Sequence, residues 1–195
     1  IREIGISAFS NTNLTSIKLP KLERIEDFAF EKTKLEQVCL PNSVVSIGNF
    51  AFSHTPIHYV VLPEGLKYID NNAFENCKEL SEVAIPDSLV WLGRAAFKDC
   101  TNLNFISMPV ILDEIKSQTF ENCKNLSSIN FPYTLRKIEN SAFEGAGIEQ
   151  IQMHEGVVEI GKKAFKSCVR LSDADLPQSI IKLGEEAFKD CDSLE

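Results

Sequence analysis

A phenylalanine recurs along the whole chain at a nearly constant interval. Successive copies are 21, 22, 22, 23, 23, 23, 22 and 23 residues apart, and they are Phe9, Phe30, Phe52, Phe74, Phe97, Phe120, Phe143, Phe165 and Phe188. Alanine precedes each of them except Phe120, which follows Thr119. A fixed period of this length is typical of repeat proteins, in which each unit packs only on its neighbours. The chain is therefore predicted to fold as a solenoid.

Each unit opens with a short segment that has the pattern of a half-buried strand. In residues 80–85, apolar side chains occupy the first, fourth and sixth places, and Pro86 follows. The alternation between the fourth and sixth places predicts a strand with one face buried. Proline cannot donate a hydrogen bond to a strand ladder, so it is expected to end the strand.

The rest of the unit carries a second apolar pair, a turn, the Ala-Phe pair and a small residue. The pairs Leu66/Ile69 and Leu89/Leu92 illustrate the second row, which is predicted to form short strands or turns. Cysteine closes the longer units, and Thr or Ala closes the shorter ones. The length changes therefore fall in turns, where a solenoid tolerates them.

The repeat resembles the BspA-like (treponemal-type) leucine-rich repeats. The stretches LEQVCLPNSVVSIGNFAF (35–52) and LSSINFPYTLRKIENSAFEGA (126–146) carry the resemblance, which extends over essentially the whole chain. The departures, such as His154 for the proline and Ala174 for a large apolar residue, affect local packing. The resemblance implies a cell-surface or secreted protein of a bacterium or protist, similar to adhesins that bind host matrix proteins or other microbes.

The predicted architecture is one leucine-rich-repeat domain, residues 1–195, of about eight repeats of 21–23 residues. Each unit should make one turn of a right-handed coil, with a parallel β-sheet on the concave side. Both chain ends fall in the middle of a repeat, and solenoids need polar caps at their ends. The chain is therefore expected to be a fragment of a longer surface protein, with improvised terminal caps as the alternative.

Net charge and hydropathy restrict the classes of partner that the chain is expected to bind. Twenty basic and 28 acidic residues give a net charge of −8, which disfavours binding to a nucleic acid backbone. No apolar run approaches the ~20 residues of a membrane span. A protein or a glycan is the expected partner.

Five cysteines occupy one slot of the unit: Cys77, Cys100, Cys123, Cys168 and Cys191. A reactive thiol needs a specialised environment that lowers its pKa, whereas a slot that also accepts Thr and Ala favours a small buried side chain. Disulfides between neighbouring units are the alternative. Cys39, the fifth residue of a strand, is expected to point into the concave face.

No arrangement of residues predicts catalysis, a metal site or a cofactor. His54 and His58 are separated by Pro56, so no helix can place them on one face. No zinc-type cysteine spacing, nucleophile–base pair or glycine-rich phosphate loop occurs. The chain is expected not to be an enzyme.

The third and fifth strand residues should line the concave face, and most of them are small or polar. The exceptions are Tyr59, Val61 and Phe105. Exposed aromatic side chains with a polar rim are typical of protein-binding hot spots. The predicted partner-binding residues are Tyr59, Val61, Glu82, Ala84, Phe105 and Ser107.

A second patch is predicted on another face, where Tyr68 and Trp91 hold equivalent places in adjacent units. The leading functional hypothesis is a binding module displayed on a cell surface. The alternative is a structural spacer with no ligand on this segment, and the polar strand residues of the C-terminal half favour it.

Overall fold

A computed structural model describes all of residues 1–195. Every strand pairing is parallel, and the chain contains no helix. Fifteen short strands follow one another: β1 Glu3–Ile4, β2 Arg24–Ile25, β3 Gln37–Cys39, β4 Ser46–Ile47, β5 Tyr59–Val61, β6 Tyr68–Ile69, β7 Glu82–Ala84, β8 Trp91–Leu92, β9 Phe105–Ser107, β10 Glu114–Ile115, β11 Lys137–Ile138, β12 Gln150–Gln152, β13 Glu159–Ile160, β14 Asp173–Asp175 and β15 Lys182–Leu183.

The strands form two columns, as the alternation of the repeat predicts. The three-residue strands make a first column, ordered β3-β5-β7-β9 and then β12-β14. The two-residue strands make a second column, ordered β1-β2-β4-β6-β8 and then β10-β11-β13-β15. The predicted leucine-rich-repeat solenoid, with short second strands opposite the first row, is confirmed.

The segment around each landmark phenylalanine contains no strand. Its backbone is nevertheless hydrogen-bonded to the neighbouring units as regularly as the strands are. Residues two places before and two places after each landmark phenylalanine have a left-handed backbone, as at Ala95 (φ 54°) and Asp99 (φ 58°). This conformation turns every second N–H toward the next unit. Ala95, Phe97 and Asp99 donate to carbonyl oxygens of the following unit at 2.8–3.0 Å.

A column of stacked phenylalanine rings fills the centre of the coil. Adjacent landmark rings lie 5.1–6.0 Å apart between centroids and within 21° of parallel. The rings from Phe30 to Phe165 are almost completely buried. The predicted inward strand residues, such as Val60, Val83 and Ile106, are buried as well. The repeat pattern therefore located the core correctly.

Residues 126–132 depart from the predicted strand pattern. They form no strand, and the first column is interrupted between β9 and β12. Phe131 occupies a place that holds Leu, Ile or Met in the other units, and its ring packs edge-on against Phe143 at 5.9 Å. Ile129 and Phe131 are only half-buried. Residues 14–19 likewise form no strand.

Candidate binding face

The first strand column presents two rows of outward side chains, set by the register of the strands. Tyr59 is paired with Glu82, and Glu82 with Phe105. Their side chains form a row across three strands, which we call the aromatic row. Tyr59 and Phe105 are 51% and 52% exposed, so about half of each residue is accessible to a partner.

The second row runs beside the aromatic row. Cys39 is paired with Val61, and Ala84 with Ser107. Cys39, Val61 and Ala84 are exposed, while Ser107 is half-buried. The residues predicted as a binding site are thus neighbours on one face, although Tyr59 and Phe105 lie on either side of Glu82 rather than of Ala84.

A shallow groove of about 210 Å³ lies along these two rows. Its walls are the exposed side chains of Tyr59, Val61, Glu82, Ala84 and Phe105, and its floor is formed by the buried strand residues between them. Because buried residues on both sides of each exposed one hold the strands in place, the face is rigid. Rigid aromatic side chains lose little conformational entropy on binding.

The second predicted patch lies on the second strand column. Tyr68 is paired with Trp91, and the two side chains are 47% and 39% exposed. The Lys116 ammonium lies 5.0 Å from the centre of the Trp91 ring, which is within the range of a cation–π contact. This contact covers part of Trp91, so the patch is less open than the aromatic row.

The five slot cysteines are all free and buried. Each thiol lies 3.1–3.2 Å from the carbonyl oxygen of the landmark phenylalanine in the preceding unit, as Cys100 does with Phe74. In the shorter units a threonine hydroxyl donates instead to the phenylalanine of its own unit, as Thr33 does to Phe30 at 2.9 Å. The slot therefore selects a small hydrogen-bond donor, with Ala146 as the exception.

Burial makes these thiols poor nucleophiles. Desolvation raises the pKa of Cys77 to about 11 and that of Cys168 to about 12. The thiolate is the reactive form of cysteine, so little of it exists near neutral pH. No group of three His, Cys, Asp or Glu side chains is arranged to hold a metal ion.

The repeat pattern did not single out a polar hollow of about 570 Å³ beside the interrupted segment. Tyr133 is 87% exposed there, and its ring lies 5.6 Å from that of His154. His154 is half-buried, and its Nε2 lies 2.6 Å from the carbonyl oxygen of Pro132. The replacement of the repeat proline by histidine was the signal in the sequence for this irregular site.

Comparison with known proteins decides the family. The profile described as the BspA type leucine rich repeat region matches residues 2–125 and 91–195, with six copies. The chain belongs to the BspA-type leucine-rich-repeat family. No curated protein matches it significantly.

Solved structures of bacterial leucine-rich-repeat proteins share the architecture of this BspA-type chain. A leucine-rich repeat protein from Bacteroides ovatus is 25% identical, with a TM-score of 0.70, and the match covers 100% of this chain and 63% of that one. The T. pallidum leucine rich repeat protein is 28% identical, with a TM-score of 0.65, over 82% of this chain and 67% of that one.

A leucine rich cell surface protein from Faecalibacterium prausnitzii has the same fold, with 24% identity and a TM-score of 0.58, over 100% of this chain and 68% of that one. The BspA-type chain thus spans about two thirds of the length of these relatives. None of its segments forms a helix with the length and apolarity that crossing a membrane requires.

Proposed function

We propose that this chain is a non-enzymatic binding module of a cell-surface or secreted protein, and that it binds a protein partner through the face that carries Tyr59, Val61 and Phe105. The observation that carries the proposal is the exposure of two aromatic rings on a flat row whose other members are small or polar. Large aromatic side chains dominate the binding energy of protein interfaces when a polar rim surrounds them.

Extracellular display and an adhesin-like role, in host-matrix or intermicrobial contacts, are part of the same proposal. Membership of the BspA-type family supports them, as does the resemblance to surface proteins of bacteria and protists. A solenoid also suits this role physically, because stacked units present a long continuous surface to a partner. A glycan is the alternative ligand for the same aromatic face.

The test compares the chain with a variant in which Tyr59, Val61 and Phe105 are all replaced by serine. Both proteins are immobilised and exposed to purified collagens, matrix glycoproteins and glycan arrays, and binding is measured by surface plasmon resonance. We expect one of these ligands to bind the chain and to lose at least tenfold in affinity for the variant, since hot-spot truncations cost about 2 kcal/mol or more each.

A matched control replaces three exposed residues of the same column farther along the chain, Gln150, Gln152 and Asp173, by serine. This control should retain the affinity of the unmodified chain. If the variant at the aromatic face bound its ligand as tightly as the control did, the site would be wrongly assigned.

A second candidate function is a spacer that displays other parts of a longer protein. The polar rows of the C-terminal half favour it, since Gln150, Gln152, Asp173 and Asp175 offer no exposed aromatic or aliphatic side chain. Retained affinity in the control variant and loss in the aromatic variant would confine binding to the first half of the chain and leave the second half to this role.

A further inference from the structure

The aromatic row has a charged centre that the chain itself does not neutralise. Glu82 is exposed on β7, between the strands that carry Tyr59 and Phe105. No basic side chain of the protein lies within 4.0 Å of its carboxylate, although twelve such pairs form elsewhere. A carboxylate and the faces of aromatic rings both attract positively charged groups.

The two outward rows around the site carry no positive charge. From Gln37 to Ser107, Glu82 is the one charged residue on these rows. A cationic group that approaches the rows therefore meets the Glu82 carboxylate without a competing positive charge on them.

The spacing of the strands fits a planar cation. Adjacent parallel strands lie about 4.8 Å apart, so the backbones of Tyr59 and Phe105 are separated by about 9.6 Å, with the backbone of Glu82 midway. A cation directly above Glu82 is then displaced by about 4.8 Å from the strand of Tyr59 and from the strand of Phe105. This displacement is inside the ~6 Å limit for cation–π attraction. A flat group that stacks on two rings at about 3.5–4.0 Å from each needs about 7–8 Å between those rings. The spacing of the two strands is wide enough for this.

Arginine satisfies this geometry better than lysine. Its guanidinium group is flat, stacks on aromatic faces and can donate two parallel hydrogen bonds to one carboxylate. The lysine ammonium is compact and strongly hydrated, so it would use the carboxylate but gain less from the rings.

We propose that Tyr59, Glu82 and Phe105 form a recognition site for an arginine side chain of a protein partner, with the guanidinium group held between the two rings and bonded to the Glu82 carboxylate. The inference rests on the proposed function, because it names the chemistry by which the same face would select its partner. Val60, Val83 and Ile106 are buried beneath the site and hold its three strands in register.

The test uses small probes, so it needs no identified partner. The isotope-labelled chain is titrated with Nα-acetyl-arginine methylamide, with the corresponding lysine compound, and with the citrulline compound, which is a neutral analogue of arginine. Chemical shifts are followed by NMR. We expect saturable shifts at Tyr59, Glu82 and Phe105 with arginine, weaker binding of lysine, and about tenfold weaker or undetectable binding of citrulline.

Two variants localise the effect. Glu82→Gln keeps the shape of the side chain but removes the charge, and it should weaken arginine binding about tenfold. Asp173→Asn removes an acidic group from a strand of the same column farther along the chain, away from the rings, and should leave arginine binding unchanged. Equal weakening by the two variants, or shifts spread over all exposed carboxylates, would show non-specific attraction and overturn the inference.

The same variants separate this inference from the proposed function. If the ligand found for the aromatic face lost affinity for the triple-serine variant but bound Glu82→Gln normally, the face would bind its partner without arginine recognition, and only the inference would fail. If the triple-serine variant retained full affinity, the proposed function would fail instead. If both variants lost affinity and the arginine probe bound, both proposals would be supported.

Discussion

Two adjacent alanines test whether the left-handed backbone beside the landmark phenylalanines is strained. Ala95 and Ala96 are both buried, but only Ala95 has a positive φ, of 54°. For a residue with a Cβ atom the left-handed conformation costs about 1–2 kcal/mol, a cost that glycine avoids. We therefore compare Ala95→Gly with Ala96→Gly.

The two substitutions share their unfavourable contributions. Each removes one buried methyl group, worth about 0.8 kcal/mol, and each adds backbone freedom to the unfolded chain, worth about 0.5–1 kcal/mol. At Ala96 nothing offsets these losses, so the variant should be less stable by about 1.3–1.8 kcal/mol. At Ala95 the relieved backbone strain cancels most of the loss, and the net change should lie near zero.

Urea unfolding followed by circular dichroism measures the free energy of unfolding of both variants. The Ala95→Gly protein should be more stable than the Ala96→Gly protein by about 1–2 kcal/mol. For a chain of this size the midpoint of thermal unfolding should then differ by roughly 2–8 °C between them. Equal losses in the two variants would refute the idea that the left-handed turn stores strain at Ala95.

Three further outcomes follow from the packing and the charges. Phe97→Ala should destabilise the chain by about 3–5 kcal/mol in urea unfolding, because the ring is fully buried and stacked on both sides; a loss below 1 kcal/mol would contradict a continuous ring column. In the native protein a thiol reagent should label Cys39 alone, which is exposed, and all six cysteines in urea; rapid labelling of more than one thiol in the native state would show that the slot cysteines are accessible. Hydrogen bonds from Lys166 and Lys189 lower the pKa of Glu186 from 4.5 to about 2, so its contribution to stability is present above pH 4.5 and is lost as the pH falls toward 2; Glu186→Gln should therefore lose less stability than the unmodified chain between pH 6 and pH 3, and an identical loss would argue against these hydrogen bonds.

Most of the core could be predicted from the sequence because each unit repeats the same local pattern. The spacing of Phe97 from its equivalents and the alternation in residues 80–85 identify buried positions without any knowledge of neighbouring units. The left-handed turn positions also left a signal, since several of them hold Asn, Asp, Ser or Gly, as at Asn72, Asn76 and Gly145. These residues adopt a positive φ more readily than others do.

The sequence indicated which residues form the candidate site, but not how they are arranged relative to one another. The alternation of the strand placed Tyr59 and Phe105 on the outward face, and the structure agrees. That Glu82 lies between the two rings follows from the register between strands, which is set when whole units pack on one another. The absence of an internal partner for Glu82 depends on where every lysine and arginine side chain lies, and a repeat pattern carries no such information.

The sequence by itself determined the period, the buried positions and the outward rows of this protein, because these depend on interactions that recur within every unit. Only the tertiary structure decided where the sheet is interrupted at residues 126–132, which donor each phenylalanine carbonyl receives, and which charged groups remain unpaired. These features arise from contacts between units whose side chains differ. The proposed binding face combines both, since the repeat supplies a rigid row and the non-repeating side chains give that row its chemistry.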